Sequence, residues 1–336
     1  MGKKICLFLY AFSLFFKIFG GDATEYSIVF VHIGPSLPDY TVTAIKQSRL
    51  FNPKADIYLV AQSEAYQKLC LTQDVATYRP IFVSAESLPL SSEHAKFRKK
   101  SKLDNVYRNG FWRYATERFF YLSALISCRG LKNVFHMEND VMLYRNLEEL
   151  LGVFCDRYKG IAATFDNENR VIPGFLYISD AQSIGSLTKF LAKRSHRGEN
   201  DMVTLASFKS VENGKYMDNL PIIFPKYVEK FPFMSAAQHR TDHPYKFFNN
   251  YDRFHSIFDA AAIGQYLGGV DPRNGNIPAG FINESCLFNP SFFEFAWQMD
   301  SYGRKVPYAL FEGQKIRINN LHIHCKNLDA FFSGNL

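Results

Sequence analysis

The sequence predicts an α/β fold built on an open, largely parallel sheet with helices on both faces, and three observations carry that prediction. Short apolar runs recur from residue 27 onward, separated by helix-length segments. The runs are bounded by Gly, Pro or basic residues that end elements. No internal repeat, low-complexity tract or interdomain linker interrupts the alternation. Sheets of this kind bind ligands at the carboxyl ends of their strands, so acids and histidines there carry the functional argument.

Each element follows from its own residues. Residues 27–33 are apolar and stop at Gly34-Pro35, which makes them the first buried strand. A helix is expected over 40–50, a second strand over 55–60 and a third over 78–83. In 110–128, Phe111, Ala115, Phe119, Leu122 and Ile126 fall at helical spacing, and Arg129-Gly130 supplies a basic last turn and a C-cap glycine. Residues 134–143 follow as a strand, and 160–165 and 174–178 add two more.

The strand at 134–143 is unusual because its apolar run carries Glu138 and Asp140. Alternation puts both acids on one face while Asn139 looks away. Two buried carboxylates on one face repel each other, and a divalent cation relieves that cost. Hard oxygen ligands suit Mn2+ or Mg2+. Asn146 then reads as the N-cap of a helix whose first turn holds Glu148 and Glu149. A second alternating run near the C-terminus, 316–326, places His322 and His324 on one face, with Lys326 joining them if the strand continues. Imidazole accepts manganese in a mixed oxygen and nitrogen site, and an ammonium neutralises phosphate. Ordinary hydrogen-bonded strand histidines are the competing account of this run.

Glu138-Asn139-Asp140 resembles the acidic DxD-type motif of GT-A glycosyltransferases, with Glu in the first place, and the late His-x-His-x-Lys resembles their C-terminal metal and diphosphate segment. The resemblance runs from the first strand to Lys326 and implies a Rossmann-like open mixed sheet with helices on both faces, formed by 24–336 as a single domain. It implies Mn2+ (or Mg2+) held by Glu138, Asp140 and one of His322 and His324, with His324 favoured for its closeness to Lys326. Donor contacts would come from Lys326, Asn139, and Arg113 or Arg118 on the preceding helix; surface ion pairing, such as Arg113 with Glu117, is the alternative for either arginine. Acceptor hydroxyls would be read by Asp259 and Gln265 in the small-residue stretch 258–269, with Asp259 also a candidate catalytic carboxylate, although it fits an N-cap equally well. Asn283 and Glu284 would sit over the acceptor, and an inverting transfer would use Glu284 as general base. The donor implied is a nucleoside-diphosphate sugar, UDP favoured and GDP second, and the acceptor is a hydroxyl of a glycan or glycoconjugate. A non-catalytic glycan-binding protein and a metal-dependent phosphohydrolase are the rival readings.

Composition agrees with an enzyme of this size. With 47% hydrophobic residues the 336-residue chain can build a large core. Its 39 basic against 32 acidic residues suit polyanionic ligands, and no zinc-finger or RNA-binding signature points to nucleic acid. The basic run 96–102 reads as a solvated loop or helix face, with phosphate or membrane contact as the other options. Lys3 and Lys4 precede a dozen apolar residues, and Gly20, Gly21 and Ala23 follow. That pattern is a signal peptide or short N-terminal anchor over 1–23, which points to the secretory pathway lumen or a membrane association. Beyond Cys6, the cysteines Cys70, Cys128, Cys155, Cys286 and Cys325 are widely spaced and odd in number, so they do not form a disulfide framework.

Overall fold

A computed structural model describes residues 25–211, 216–231, 241, 243–274 and 286–334. The leader read over 1–23 and the residues Asn283 and Glu284 lie outside these. Among the described residues no helix is long and apolar enough to cross a membrane.

The strands are β1 (Ser27–Val31), β2 (Asp56–Ala61), β3 (Ile81–Ser84), β4 (Val134–Met137), β5 (Val141–Leu143), β6 (Ile161–Asn167), β7 (Arg170–Ile178), β8 (Met217–Asn219), β9 (Ser256–Ile257), β10 (Glu294–Met299), β11 (Lys305–Phe311), β12 (Gln314–Ile318) and β13 (Asn320–His322). Seven of them form one sheet in the order β3-β2-β1-β4-β7-β6-β8. Every residue of β1, β4 and β6 is buried, so both faces of the sheet are covered. The sheet is mixed, with β7 running against both of its neighbours. Its reversal follows from the tight return through Glu168 and Asn169, since a parallel partner would need a long crossover.

The helices packed around this sheet include α1 (Tyr40–Phe51), α2 (Ser63–Thr72), α3 (Ser92–Lys100) and α4 (Phe111–Arg129). After the acidic segment come α5 (Glu148–Arg157), α6 (Ala181–Arg194) and α7 (Asp201–Val211). Helix α4 ends as expected, with Gly130 in the left-handed conformation (φ 61°) and its N–H bonded to the Ile126 carbonyl. Asn146 acts earlier than an N-cap: α5 starts at Glu148, and the Asn146 Oδ1 accepts that residue's N–H at 3.1 Å. The basic run belongs largely to α3, whose Phe97 is buried in the core while Arg98 pairs with Glu117. The five described cysteines are all free.

The C-terminal part brings the chain back to the acidic strand. Strands β10, β11 and β12 form an antiparallel meander whose last member also pairs with β9. Beyond it, β13 pairs antiparallel with β5 and sets His322 opposite Val141. Residues far apart in sequence thus meet at the carboxyl end of β4.

Candidate functional site

The acidic segment is not one continuous strand. Strand β4 stops at Met137, and Glu138, Asn139 and Asp140 turn before β5 begins. The turn closes through the Val141 N–H on the Glu138 carbonyl (3.1 Å) and is pinned by the Glu138 N–H on the Gly174 carbonyl (2.9 Å). Asn and Asp favour turns because their short polar side chains compete with ladder hydrogen bonds. The carboxylates still converge, but the turn brings them together rather than strand alternation.

His322 completes the cluster. Its backbone is clamped from two sides: Asp140's carbonyl accepts the Ile323 N–H (2.8 Å), and the Asp259 Oδ2 accepts the His322 N–H (3.0 Å). The same Asp259 carboxylate receives the N–H groups of Ile263 and Gly264, both at 2.9 Å, in the first turn of the helix Ala262–Gly268. Asp259 is buried with its oxygens committed, so it caps a helix and positions His322 rather than reading an acceptor. The small residues of this stretch serve close approach, since a Cβ on Gly264 would overlap the His322 carbonyl oxygen. Gln265 lies on this helix, half-buried.

His324 and Lys326 do not continue a strand face. Strand β13 ends at His322, and Lys326 adopts a left-handed backbone (φ 68°). The turn leaves the His324 Nδ1 accepting the Asp271 N–H at 2.9 Å, outside the carboxylate cluster. It also delivers the Lys326 ammonium directly to Asp140.

The imidazole Nε2 of His322 lies 3.2 Å from Asp140 Oδ2 and 3.3 Å from Glu138 Oε2. One ligand atom from each of Glu138, Asp140 and His322 lies within 4.8 Å of the others. Octahedral neighbours around an ion with bonds of about 2.1 Å sit about 3 Å apart, which matches these separations. An oxygen and imidazole donor set suits manganese or magnesium. Three residues of the site also carry buried atoms without a hydrogen-bond partner among the described residues: Arg118 Nε, Asn139 Oδ1 and His322 Nδ1. Buried orphans are rare, and their gathering here fits a site that completes its bonding with a ligand. The residues therefore fit a divalent ion.

The charges of the site act on one another at close range. Burial disfavours the Asp140 carboxylate, but the Lys326 and His322 charges outweigh it and hold Asp140 well below the usual range. Burial also pulls His322 down, while the Asp140 charge more than compensates and raises it. Arg118, expected as a donor contact or a surface pair, is buried and joins Glu138 (2.6 Å) to Asp201 (3.1 Å). Asp201 is pushed up to about 6, chiefly by burial, with Arg118 opposing and Glu138 adding like-charge repulsion. Arg113 points elsewhere, to Asn105 at 3.4 Å, and its expected partner Glu117 is instead buried against His94 and Arg98. Asn139 donates to His32 Nδ1 (2.8 Å), whose Nε2–H reaches the Ser36 carbonyl (2.8 Å).

Sequence reasoning missed Asp201, His32 and Asp271. Each looks in sequence like an ordinary cap or loop residue, and only its contacts mark it. Asp271 holds Arg273 and Arg108 beside His324.

No family model matches the chain, and no curated protein matches it in sequence. Among solved structures it is similar to mouse xyloside xylosyltransferase 1 in the apo form, at 12% identity over 61% of this chain and 89% of that one (TM-score 0.43). It is also similar to the galactosyltransferase LgtC in complex with donor and acceptor sugar analogues, at 13% identity over 66% and 81% (TM-score 0.37). A cytidylyltransferase from Leptospira borgpetersenii shows 6% identity over 59% and 76% (TM-score 0.36). Likenesses this distant carry no weight in the functional reading, which rests on the site itself.

Proposed function

We propose that the chain is a metal-dependent glycosyltransferase of the GT-A type, moving a sugar from a nucleoside-diphosphate donor to a hydroxyl of a glycan or glycoconjugate. The observation that carries the reading is the convergence of Glu138, Asp140 and His322 at the end of a central strand, with Lys326 on Asp140 and Arg118 on Glu138. Charge balance supports it. The four acids Glu138, Asp140, Asp201 and Asp271 face four cations, with Arg118 shared by Glu138 and Asp201, Lys326 on Asp140, and both Arg108 and Arg273 on Asp271. A divalent ion then leaves the site with an excess of two positive charges, complementary to a diphosphate.

Glu138, Asp140 and His322 would hold the ion, manganese favoured over magnesium. When bound, it supplies Lewis-acid stabilisation of the departing nucleoside diphosphate. Lys326 adds a compact positive charge for the same leaving group, and Arg118 orients Glu138 from behind. Asp259 and Gly264 hold the His322 backbone so that its ring keeps its place. The acceptor hydroxyl gives up its proton as it attacks, and Glu284 remains the proposed base if the transfer inverts. UDP is the favoured carrier and GDP the second. We take 24–336 as one catalytic domain and the N-terminal segment as its address to the secretory pathway lumen or membrane.

Calorimetric titration of residues 24–336 with UDP and GDP, in manganese and in chelator, tests the reading. Manganese-dependent binding that is lost in Asp140→Ala is the expected result. A folded protein that binds neither nucleotide overturns the transferase assignment and leaves a non-catalytic binding protein.

A further inference from the structure

An exposed aromatic cluster stands at the entry to α4, unused by anything described so far. The rings of Tyr107 and Trp112 are nearly parallel, 13° apart with centroids 6.1 Å apart. Phe111 stands edge-on to both, at 76° and 70°. Tyr107 and Phe111 are 39% and 42% exposed, a large apolar exposure for two aromatic residues in contact across the start of α4. The Arg108 guanidinium lies 5.4 Å from the Tyr107 ring centre and 5.9 Å from that of Phe111. Its Nη1 also reaches Asp271 Oδ2 at 3.3 Å.

That last contact ties the cluster to the candidate active site. The Asp271 N–H is bonded to His324, two residues beyond the proposed ligand His322 and two before Lys326. The platform is therefore linked through a single arginine to the segment that would grip the leaving group. We propose that Tyr107, Phe111 and Trp112 form the acceptor platform, on which a sugar ring stacks its apolar C–H face, so that the acceptor is a carbohydrate. This rests on the transferase reading above.

The chemistry favours a sugar over other occupants. A pyranose offers a flat apolar face and a rim of hydroxyls, which matches aromatic faces beside a planar guanidinium and the Asn105 amide bonded to Arg113. A specific protein partner needs about 800 Å² on each side, far more than these partly covered rings present. Membrane adsorption draws on cations near an apolar face, but here Arg108 is engaged with Asp271 and Arg113 with Asn105.

The chain has 2 tryptophans, Trp112 and Trp297, which makes the test direct. In a Trp297→Phe background, emission from Trp112 is followed while lactose, cellobiose, maltose and xylobiose are titrated onto residues 24–336, with UDP and manganese present and absent. At least one sugar should shift the Trp112 emission, and Tyr107→Ala should weaken that sugar about tenfold or more, as loss of a central aromatic contact does. Thermal melting of each variant shows that it is folded. No spectral response to any of the sugars overturns the proposal, as does a response that Tyr107→Ala and Phe111→Ala leave unchanged. Partition of the protein onto phosphatidylserine vesicles that depends on these rings overturns it too, reassigning the patch to a membrane. Nucleotide binding without sugar binding sinks the platform alone. Sugar binding without nucleotide binding sinks the transferase reading and with it the acceptor role, leaving a sugar-binding surface on these rings.

Discussion

Two buried carboxylates in this protein, Glu117 and Asp140, are each met by a histidine and a cation, yet they do different work. Glu117 takes His94 Nε2 at 2.7 Å and Arg98 beside it, and Arg98 in turn reaches the Tyr121 hydroxyl at 2.6 Å. Among the described residues, no buried side-chain atom of Glu117, His94 or Arg98 is left without a hydrogen-bond partner. Asp140 takes His322 and Lys326, but a second carboxylate, Glu138, stands on the same imidazole at 3.3 Å. Orphaned atoms on His322, Asn139 and Arg118 lie in that cluster. The same residue types build a closed strut between α3 and α4 in one place and, in the other, a site where two carboxylates share one imidazole. What separates structure from function here is surplus: an extra acid and unspent hydrogen-bonding capacity.

The comparison can be broken in four ways, taken from the largest expected effect down. Glu117→Ala should lower stability by about 3 kcal/mol in urea denaturation, the low end for a broken buried pair because half-exposed Arg98 can rehydrate. Its manganese-dependent nucleotide affinity should stay at the wild-type value; a loss there would show that the strut is part of the site.

The pH dependence of stability should run in opposite directions around the two clusters. At Glu117, burial is outweighed by hydrogen bonds from His94 and Arg98, so its folded pKa lies below the ordinary value. Its contribution is present above the unfolded pKa and lost as pH falls through the folded one. Asp201, behind Glu138, is raised from 3.8 to about 6, so its contribution is full below the unfolded pKa and lost as pH rises through about 6. A shift of that size is on the order of 3 kcal/mol. In chelator, urea midpoints of the wild type should therefore fall between about pH 4 and 6, and those of Asp201→Asn should not. An identical slope in both proteins would remove Asp201 from the coupled site.

The glycines that seat His322 give the third and fourth tests. Gly264→Ala drives a methyl into the His322 carbonyl and should weaken manganese-dependent nucleotide binding about a hundredfold. Gly174→Ala places a Cβ 2.7 Å from His322 Nδ1, where a tilt of the ring relieves it, and should cost about tenfold. Calorimetry reads both. Full affinity in Gly264→Ala would take His322 out of the ligand set.

Much of the fold was legible because its signals are local. The first strand forms where expected but ends at Val31, two residues short of the Ile33 expected before Gly34-Pro35, and α4 ends in the basic turn and glycine that close it. The acids of the site could be picked out from their place in an apolar run. Their geometry could not, because Asn139 and Asp140 break the strand that alternation assumed. The choice between His322 and His324 was equally hidden: strand spacing treats them alike, and only the end of β13 separates them. Arg118 and Arg113 share a helix and a charge, but α7 supplies Asp201 to one of them alone.

By itself the sequence determined an α/β sheet protein with paired acids after a buried strand and an imidazole and ammonium near its end, because periodicity, caps and breakers act over a few residues. Only the tertiary structure decided which of those groups meet. The pairing of β5 with β13 joins Val141 to His322 across the length of the chain, and a helix packed backbone to backbone through Gly264 holds the imidazole there. Those are contacts between distant segments, and no local pattern encodes the convergence of two carboxylates on one imidazole that they create.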